Sequence, residues 1–292
     1  MKILITGARG QVGRELARGD SAHEIIALDR SGLDITDEDR VTEAIRRHGP
    51  DAVINAAAYT AVDRAESEPD AAFAVNKTGA ANLARACAES GAILLHISTD
   101  YVFDGTARKP YRESDPVRPL GIYGKSKAEG ESEIRRLCPM HIILRTSWVF
   151  SPHGSNFVKT MLRLALEHDE LRVVSDQYGC PTSAREIAKA LLKVAESFSP
   201  EHAGTYHFAQ PEPVSWHGFA EAIVKDARRS GFPVKTRAVR PIATEDYPTP
   251  ARRPEWSVLD CNKIATVFGI KPPTWRKSLK EVIEELRPGT AH

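Results

Sequence analysis

A glycine-rich turn at residues 7–13 constrains this chain more than any other feature. Thr6-Gly7-Ala8-Arg9-Gly10-Gln11-Val12-Gly13 follows a compact apolar run at residues 2–6 and leads into a helical pattern at Arg14-Glu15-Leu16-Ala17. The spacing is G-x-x-G-x-x-G, a variant of the dinucleotide-binding fingerprint. Glycine serves there in a tight turn, in the approach of backbone to a pyrophosphate, and in close packing of helix on strand. The helix start then offers orphan N–H groups and a positive dipole end to the phosphates. The bland alternative is a glycine turn without a ligand, and the strand before and helix after it weigh against that. Asp29 ends a second apolar run about 20 residues further on, where a carboxylate can accept hydrogen bonds from the adenosine ribose. Arg30 beside it and Arg9 inside the loop can instead meet a 2′-phosphate. Both NADPH and NADH are therefore open as cofactors.

The periodicity of the first half agrees with that turn. Apolar runs at residues 2–6, 24–29, 52–57, 92–98 and 141–146 alternate with helical patterns at 37–48, 71–90 and 125–137. Strands that are apolar along their whole length and separated by helices imply a parallel sheet covered on both faces. The second half reads differently. Only Pro50 and Pro69 precede residue 100, whereas Pro200, Pro211, Pro213, Pro233, Pro241, Pro248, Pro250 and Pro254 crowd a later stretch. A regular βα repeat tolerates few prolines. Residues 204–210 still read as a strand that returns to the first sheet, surrounded by helical patterns at 183–197, 215–230 and 274–286. The expectation is α/β: a Rossmann-type doubly wound parallel sheet with a smaller C-terminal substrate-binding lobe. Residues 1–150 make the dinucleotide-binding domain, about 176–213 partly return to it, and 151–292 are mainly the lobe.

Charge and composition exclude several classes. The 292 residues carry 40 Lys+Arg against 39 Asp+Glu, a net charge of +1, without the basic excess that nucleic-acid binding draws on. No apolar run approaches the about 20 residues that span a bilayer. The four cysteines, Cys87, Cys138, Cys180 and Cys261, form no C-x-x-C pair, and the ten histidines have no ligand spacing. No metal, nucleic acid or membrane is expected, and the reading is of a cytoplasmic protein.

The chemistry gathers at two later points. Ser98-Thr99-Asp100-Tyr101 stands at the end of the fourth apolar run, and Tyr123-Gly124-Lys125-Ser126-Lys127 opens the next helical pattern. Tyr123 and Lys127 are four apart and share a helix face. A phenol with an ordinary pKa of about 10 shuttles protons poorly at neutral pH. A neighbouring ammonium, together with an oxidised nicotinamide, favours the phenolate and lowers that value. A hydroxyl from Thr99 completes the grip on a carbonyl oxygen. Taken alone, Tyr-x-x-x-Lys is most often a solvated helix face; the order of glycine loop, strand-end hydroxyls and Tyr-x-x-x-Lys changes that weighting.

These residues resemble the extended short-chain dehydrogenase/reductase superfamily, in its nucleotide-sugar branch, and within it the dTDP-4-dehydrorhamnose reductase family. The resemblance runs through residues 5–13, Asn-Ala-Ala-Ala-Tyr-Thr-Ala-Val-Asp at 55–63, Ala-Glu-Ser-Glu-Pro at 65–69, 98–105, 123–127, Arg-Thr-Ser-Trp-Val at 145–149, Asn156-Phe157, Asp-Gln-Tyr-Gly-Cys-Pro-Thr at 176–182 and 247–254. It covers nearly the whole chain in family order. It implies NAD(P)H-dependent reduction of the 4-keto group of a dTDP-sugar, dTDP-4-dehydro-β-L-rhamnose, to dTDP-L-rhamnose. It implies Tyr123 as proton donor to the C4 oxygen, Lys127 as its partner on the nicotinamide ribose, and Thr99 where the wider superfamily usually has serine. Gly7, Gly10, Gln11, Val12, Gly13, Asp29, Asp34, Ile35, Ala58, Tyr59 and Thr60 match cofactor-contacting positions; Tyr59 stands where relatives often carry histidine. Thr99, Asp100 and Trp148 match sugar-nucleotide contacts, with Asn156 and Arg252 as weaker matches. Some relatives form a homodimer through Mg²⁺ held by glutamates, and Glu15 matches one such position without a companion set.

Two other functions use the same residues. An epimerase or dehydratase employs the Tyr/Lys pair but regenerates its cofactor; a dehydratase usually adds an acidic pair beside the threonine, where this chain has Asp100 and then Tyr101. A non-catalytic NADP-binding regulatory subunit, like the β subunit of methionine adenosyltransferase, would keep the fold alone. Trp148, at the end of the fifth apolar run, reads as a ligand contact, and Trp216, Trp256 and Trp275 as packing.

Overall fold

The five apolar runs become β1 (Lys2–Thr6), β2 (Glu24–Leu28), β3 (Ala52–Asn55), β4 (Ile93–Thr99) and β5 (His141–Thr146) in the computed structural model, which describes residues 1–18 and 22–287. Seven further strands follow: β6 (Val149–Phe150), β7 (Glu170–Val174), β8 (Tyr178–Gly179), β9 (Thr182–Ser183), β10 (Gly204–His207), β11 (Val214–Ser215) and β12 (Ala238–Ile242). The helices of the first half are α1 (Gln11–Arg18), α2 (Glu38–His48), α3 (Val62–Ala65), α4 (Pro69–Phe73), α5 (Ala80–Ser90) and α6 (Ile122–Leu137). Those of the second half are α7 (Phe157–Glu167), α8 (Ala184–Glu196), α9 (Trp216–Arg229), α10 (Asn262–Phe268) and α11 (Trp275–Glu285).

Six strands make one parallel sheet in the order β10-β5-β4-β3-β1-β2. The chain steps outward from β1 to β2 and then crosses back to β3, so the order reverses between β1 and β3. Ligands of such sheets sit beyond the carboxyl ends at that reversal. Register decides which side chains meet there: Thr6 beside Asn55, Asn55 beside His96, and Thr99 beside Thr146.

Burial on both faces explains why these strands are apolar throughout. Ile3, Ile5, Ile54, Leu95 and Leu144 face Leu16 of α1 and Ile187 and Leu191 of α8. Leu4, Val53, Leu94 and Ile143 face the other way, onto Ile45 of α2, Leu83 of α5 and Ile134 of α6. Each such side chain contributes about 1.5–3 kcal/mol by leaving water. A separate cluster joins Val158 and Leu162 of α7, Phe219 and Ile223 of α9, and Trp275 and Leu279 of α11 to Leu171 of β7. Among the described residues no helix is long and apolar enough to cross a membrane.

One expected helix is broken. Residues 71–90 are not continuous: α4 and α5 are joined by a π-helical turn at Ala74–Gly79. Asn76 within that turn is buried, and its side chain accepts from Tyr59 N and donates to Tyr59 O and Ser126 Oγ. The widened turn thus spends its irregularity on holding the segment after β3 against α6.

Candidate active site

The glycine loop packs against the start of the segment after β3. A Cβ on Gly7, whose φ is +70°, would stand 2.6 Å from Ala57 N, and one on Gly13 would stand 2.3 Å from Gly7 O. Only glycine fits these two positions, and their closeness brings the start of α1 to the mouth of a cavity. That cavity, about 720 Å³, is lined by Gly7, Gly10, Asp29, Asp34, Ile35, Ala58 and Tyr59 among others. Asp29 there accepts from Ser31 N, Ser31 Oγ and Gly32 N and pairs with Arg9 at 2.5 Å. The Ser31 hydroxyl first, with Gly32 N–H and Arg9, holds its carboxyl below the usual carboxylate value. Asp34 is likewise held low, by the Thr36 backbone and hydroxyl and by Arg30.

A second cavity of about 680 Å³ shares Arg9, Gly10 and Ala56–Ala58 with the first. Gln11, Val12, Thr60, Thr99, Asp100, Tyr123, Lys127, Trp148 and Asn156 all line it. Thr99 and Asp100 reach it from the end of β4. Tyr123 stands in the first turn of α6, whose opening N–H at Ile122 donates to Glu66 Oε1 at 2.8 Å. Exclusion of water pushes the Tyr123 phenol up to about 12, with the Thr99 hydroxyl pulling the other way. Burial pulls Lys127 down to about 8, with Glu131 opposing. Among the described residues no hydrogen bond joins Tyr123 to Lys127; Lys127 Nζ lies 3.0 Å from His96 Nε2 and donates to Ile97 O at 2.7 Å. Among the described residues, two buried oxygens on the wall, Asp100 Oδ2 and Thr146 Oγ1, have no hydrogen-bond partner. Backbone crowded onto glycines at a helix start, beside orphaned polar atoms, suits a dinucleotide and a second polar ligand next to it.

A family model described as the RmlD substrate binding domain matches residues 1–288. The chain belongs to that family. A dTDP-4-dehydrorhamnose reductase of Aggregatibacter actinomycetemcomitans is 47% identical over 287 residues, 96% of this chain and 98% of that one. A solved dTDP-4-dehydrorhamnose reductase from Clostridium acetobutylicum is 42% identical, with a TM-score of 0.91 over 98% of this chain and 99% of that one. The enzyme of the same name from Bacillus anthracis, solved in complex with NADP, is 36% identical with a TM-score of 0.91, over 97% of this chain and 99% of that one.

For this family member, the structure brings most of the residues singled out from sequence to the two cavities, with three qualifications. Gly13 lies behind the loop rather than on a wall. Asn156 lines the second cavity, but its side chain caps α7, accepting from Lys159 N and donating to Gln11 Oε1 and Ser151 O. Arg252 is exposed and absent from the lining of either cavity. Its neighbour Arg253 turns inward instead, donating to Asp63 Oδ2 at 2.7 Å. Trp216 packs against the cluster of α7, α9 and α11, as its sequence context suggests, and in addition lines the second cavity, stacked on Trp148. Tyr59 directs its hydroxyl to Glu68 at 2.6 Å. Glu15 is ion-paired with Arg185 at 3.3 Å, and its other oxygen lies 3.3 Å from His153 Nε2, whose ring burial holds below its ordinary pKa.

Proposed function

We propose that this chain reduces the 4-keto group of dTDP-4-dehydro-β-L-rhamnose to dTDP-L-rhamnose, with NADPH or NADH as reductant, in dTDP-rhamnose biosynthesis. The observation that carries the reading is the convergence of Thr99, Tyr123 and Lys127 on a cavity that shares Arg9, Gly10 and Ala56 with the dinucleotide end. The relatives' names support the substrate, and the relative solved with NADP supports the cofactor.

When bound, the reduced nicotinamide supplies a hydride to the sugar C4 carbon. Tyr123 holds the proton that goes to the C4 oxygen. A phenol raised to about 12 is protonated at neutral pH and so is ready to donate. The Thr99 hydroxyl orients the same oxygen, and Lys127, one turn along α6, holds the nicotinamide ribose. Such proton transfer contributes about 10²–10⁴-fold in rate. Gly7, Gly10, Gln11 and Val12 hold the pyrophosphate at the start of α1. Asp29, Asp34 and Ile35 meet the adenosine end, and Ala58, Tyr59 and Thr60 the opposite wall. Asp100 and Trp148 contact the sugar nucleotide, with Asn156 as a further contact.

The same proposal divides the chain into a dinucleotide-binding unit at 1–150, joined by part of 176–213, and a substrate lobe built mainly from 151–292. It includes a homodimer, which sedimentation velocity would test, and a cytoplasmic setting that suits four unpaired cysteines. The deciding assay adds dTDP-4-dehydro-β-L-rhamnose to enzyme and NADPH. Stoichiometric NADPH loss with formation of dTDP-L-rhamnose is expected, and Tyr123→Phe should abolish it while still binding NADPH. Turnover without net NADPH loss means an epimerase, and no turnover means a binding subunit.

A further inference from the structure

The helix that carries Tyr123 and Lys127 begins without a cap of its own. Gly121 stands at its N-cap position with no side-chain hydrogen bond, and its first turn holds no acidic residue. The first N–H groups of a helix have no partner inside it and need one from elsewhere. Here it comes from 56 residues back in the chain, where Glu66, just after α3, takes the Ile122 N–H on Oε1 at 2.8 Å.

The fit of that contact is close. A Cβ on Gly121 would stand 2.5 Å from the same Glu66 oxygen. The backbone there has a φ of −131°, which any residue adopts, so it is the approach of the carboxylate that asks for glycine. The stretch that supplies Glu66 is also a wall of the second cavity: Ala58, Thr60 and Val62 line it, and α3 then leads straight to Glu66. One continuous segment therefore lines the cavity and holds the end of the helix that presents Tyr123 to it. The rest of α6 is seated by close packing, with a Cβ on Gly124 falling 2.2 Å from Tyr101 O and one on Gly130 falling 2.0 Å from Asn76 O. Packing of that kind limits how near the helix lies. A directed hydrogen bond fixes where its first turn stands.

We propose that Glu66 is a positioning residue for Tyr123, capping α6 from the cavity wall through the space that Gly121 leaves open. That the positioning serves reduction rests on the reductase reading, while the cap itself does not. Tyr123 is the second residue of α6, so it rides on the turn whose N–H Glu66 holds. Its ring also meets Tyr101 edge-on with centroids 5.6 Å apart, which orients the ring but leaves the reach of the hydroxyl to the backbone. Proton donation needs that hydroxyl within hydrogen-bond reach of the C4 oxygen, and a misplacement of about 1 Å can cost about 10²-fold in rate. Glu66 thus acts through Tyr123 on the reaction, and not on the hold of a dinucleotide at the start of α1.

Hydrogen exchange read by mass spectrometry on the ligand-free protein tests the cap directly. In Glu66→Ala the amides of residues 122–126 should exchange about 3- to 10-fold faster, the equivalent of one lost helix cap. Gly121→Ala, which displaces the same oxygen, should loosen the turn likewise, whereas Glu66→Gln keeps an oxygen for the Ile122 N–H and should preserve slow exchange. Exchange as slow as in the wild type in both alanine variants overturns the proposal whatever the protein's substrate. Kinetics give a second readout. In Glu66→Ala kcat for the keto sugar should fall about 3- to 10-fold, with the Kd for NADPH near its wild-type value, and Glu66→Gln should restore kcat. Equal losses in the two Glu66 variants, or a Kd for NADPH that rises as much as kcat falls, overturn the proposal. Gly121→Ala combined with Glu66→Ala should cost no more than either alone, because both break one contact. Losses that multiply mean two independent effects and overturn it too. A wild-type protein that fails to reduce the keto sugar would sink the functional reading and leave the exchange measurement intact.

Discussion

Trp148 and Trp216 lie face to face, with ring centroids 3.4 Å apart and planes 4° from parallel. Trp148 follows β5 with a φ of 47°. A bulky residue in that left-handed region costs about 1–3 kcal/mol. Trp216 opens α9, where Ser215 caps the helix by accepting from Gly218 N. The stack therefore ties α9 to the carboxyl edge of the sheet, on the wall that also carries Thr99 and Tyr123. Strain of this kind persists where the surroundings over-determine it, which here means the second indole and the cavity.

Trp216→Leu removes the partner ring and loosens Trp148. An aromatic pair contributes about 0.5–1.5 kcal/mol beyond its buried area, so the KM for the sugar nucleotide should rise about 2- to 10-fold. The KM for NADPH should stay as it was, because the dinucleotide end is lined by other residues. Steady-state kinetics with each substrate varied in turn checks this. Equal rises in both KM values would show that the tryptophan pair supports the whole site rather than the sugar end.

Cofactor preference should follow the arginines at the adenosine end. Arg9 pairs with Asp29, Arg30 with Asp34 at 3.2 Å, and Arg40 donates to Ser31 O and Gly32 O. All three line the first cavity, and Arg9 and Arg30 are mostly exposed, free to turn to a 2′-phosphate. Joint replacement Arg9→Ala and Arg30→Ala should lower kcat/KM for NADPH by about tenfold, the equivalent of one charge-assisted hydrogen bond. The value for NADH should change little. A parallel loss with both cofactors would remove these arginines from the recognition of the 2′-phosphate.

What could be read from the chain in advance follows from how each feature is encoded. Gly7, Gly10 and Gly13 serve one turn, and Tyr123 and Lys127 one helix face, so local spacing carries them. The apolar strands were equally legible because both of their faces are buried. That Trp216 also faces the cavity was not, since it meets Trp148 only through the fold, and an isolated tryptophan in a helical pattern reads as packing. Which of Arg252 and Arg253 turns inward is decided by Asp63, far off in the chain. Thr6, Asn55 and His96 left a trace, one polar side chain inside each of three apolar strands, but that they lie side by side needs the register between strands. The break in the 71–90 helix left only Gly79, which packs against Ile35.

Asp100 should make stability depend on pH in an unusual direction. It is buried, and burial raises its carboxyl from 3.8 to about 6. The native state then binds more protons than the unfolded chain between those values, so stability falls as pH rises from about 4 to 6 and stays reduced above. The shift corresponds to a penalty on the order of 3 kcal/mol at neutral pH. Asp100→Asn should therefore raise Tm at neutral pH, flatten this slope, and weaken sugar-nucleotide binding if the carboxylate is a contact. Thermal unfolding at a series of pH values checks it. A variant destabilised equally at every pH would contradict this account.

The ion pair behind the catalytic helix should behave in the opposite way. Glu131 is 0% exposed and Arg145 1%. Arg145 Nε and Nη2 donate to the two Glu131 oxygens at 2.8 and 2.7 Å, and Ser98 Oγ and Arg135 Nη2 complete the set at 2.6 and 2.5 Å. Burial alone would push Glu131 up; the Arg145 guanidinium outweighs it and holds the carboxylate charged. Removing one partner leaves the other charge buried without compensation, which costs about 3–5 kcal/mol. Glu131→Gln should thus lower Tm by about 10 °C. The double change Glu131→Gln with Arg145→Met should recover part of that loss, because no buried charge remains. As a control, Glu133→Gln breaks an exposed pair with Arg136, and Tm should barely move. If Glu131→Gln costs no more than this control, the buried network is not what anchors α6 to β4 and β5.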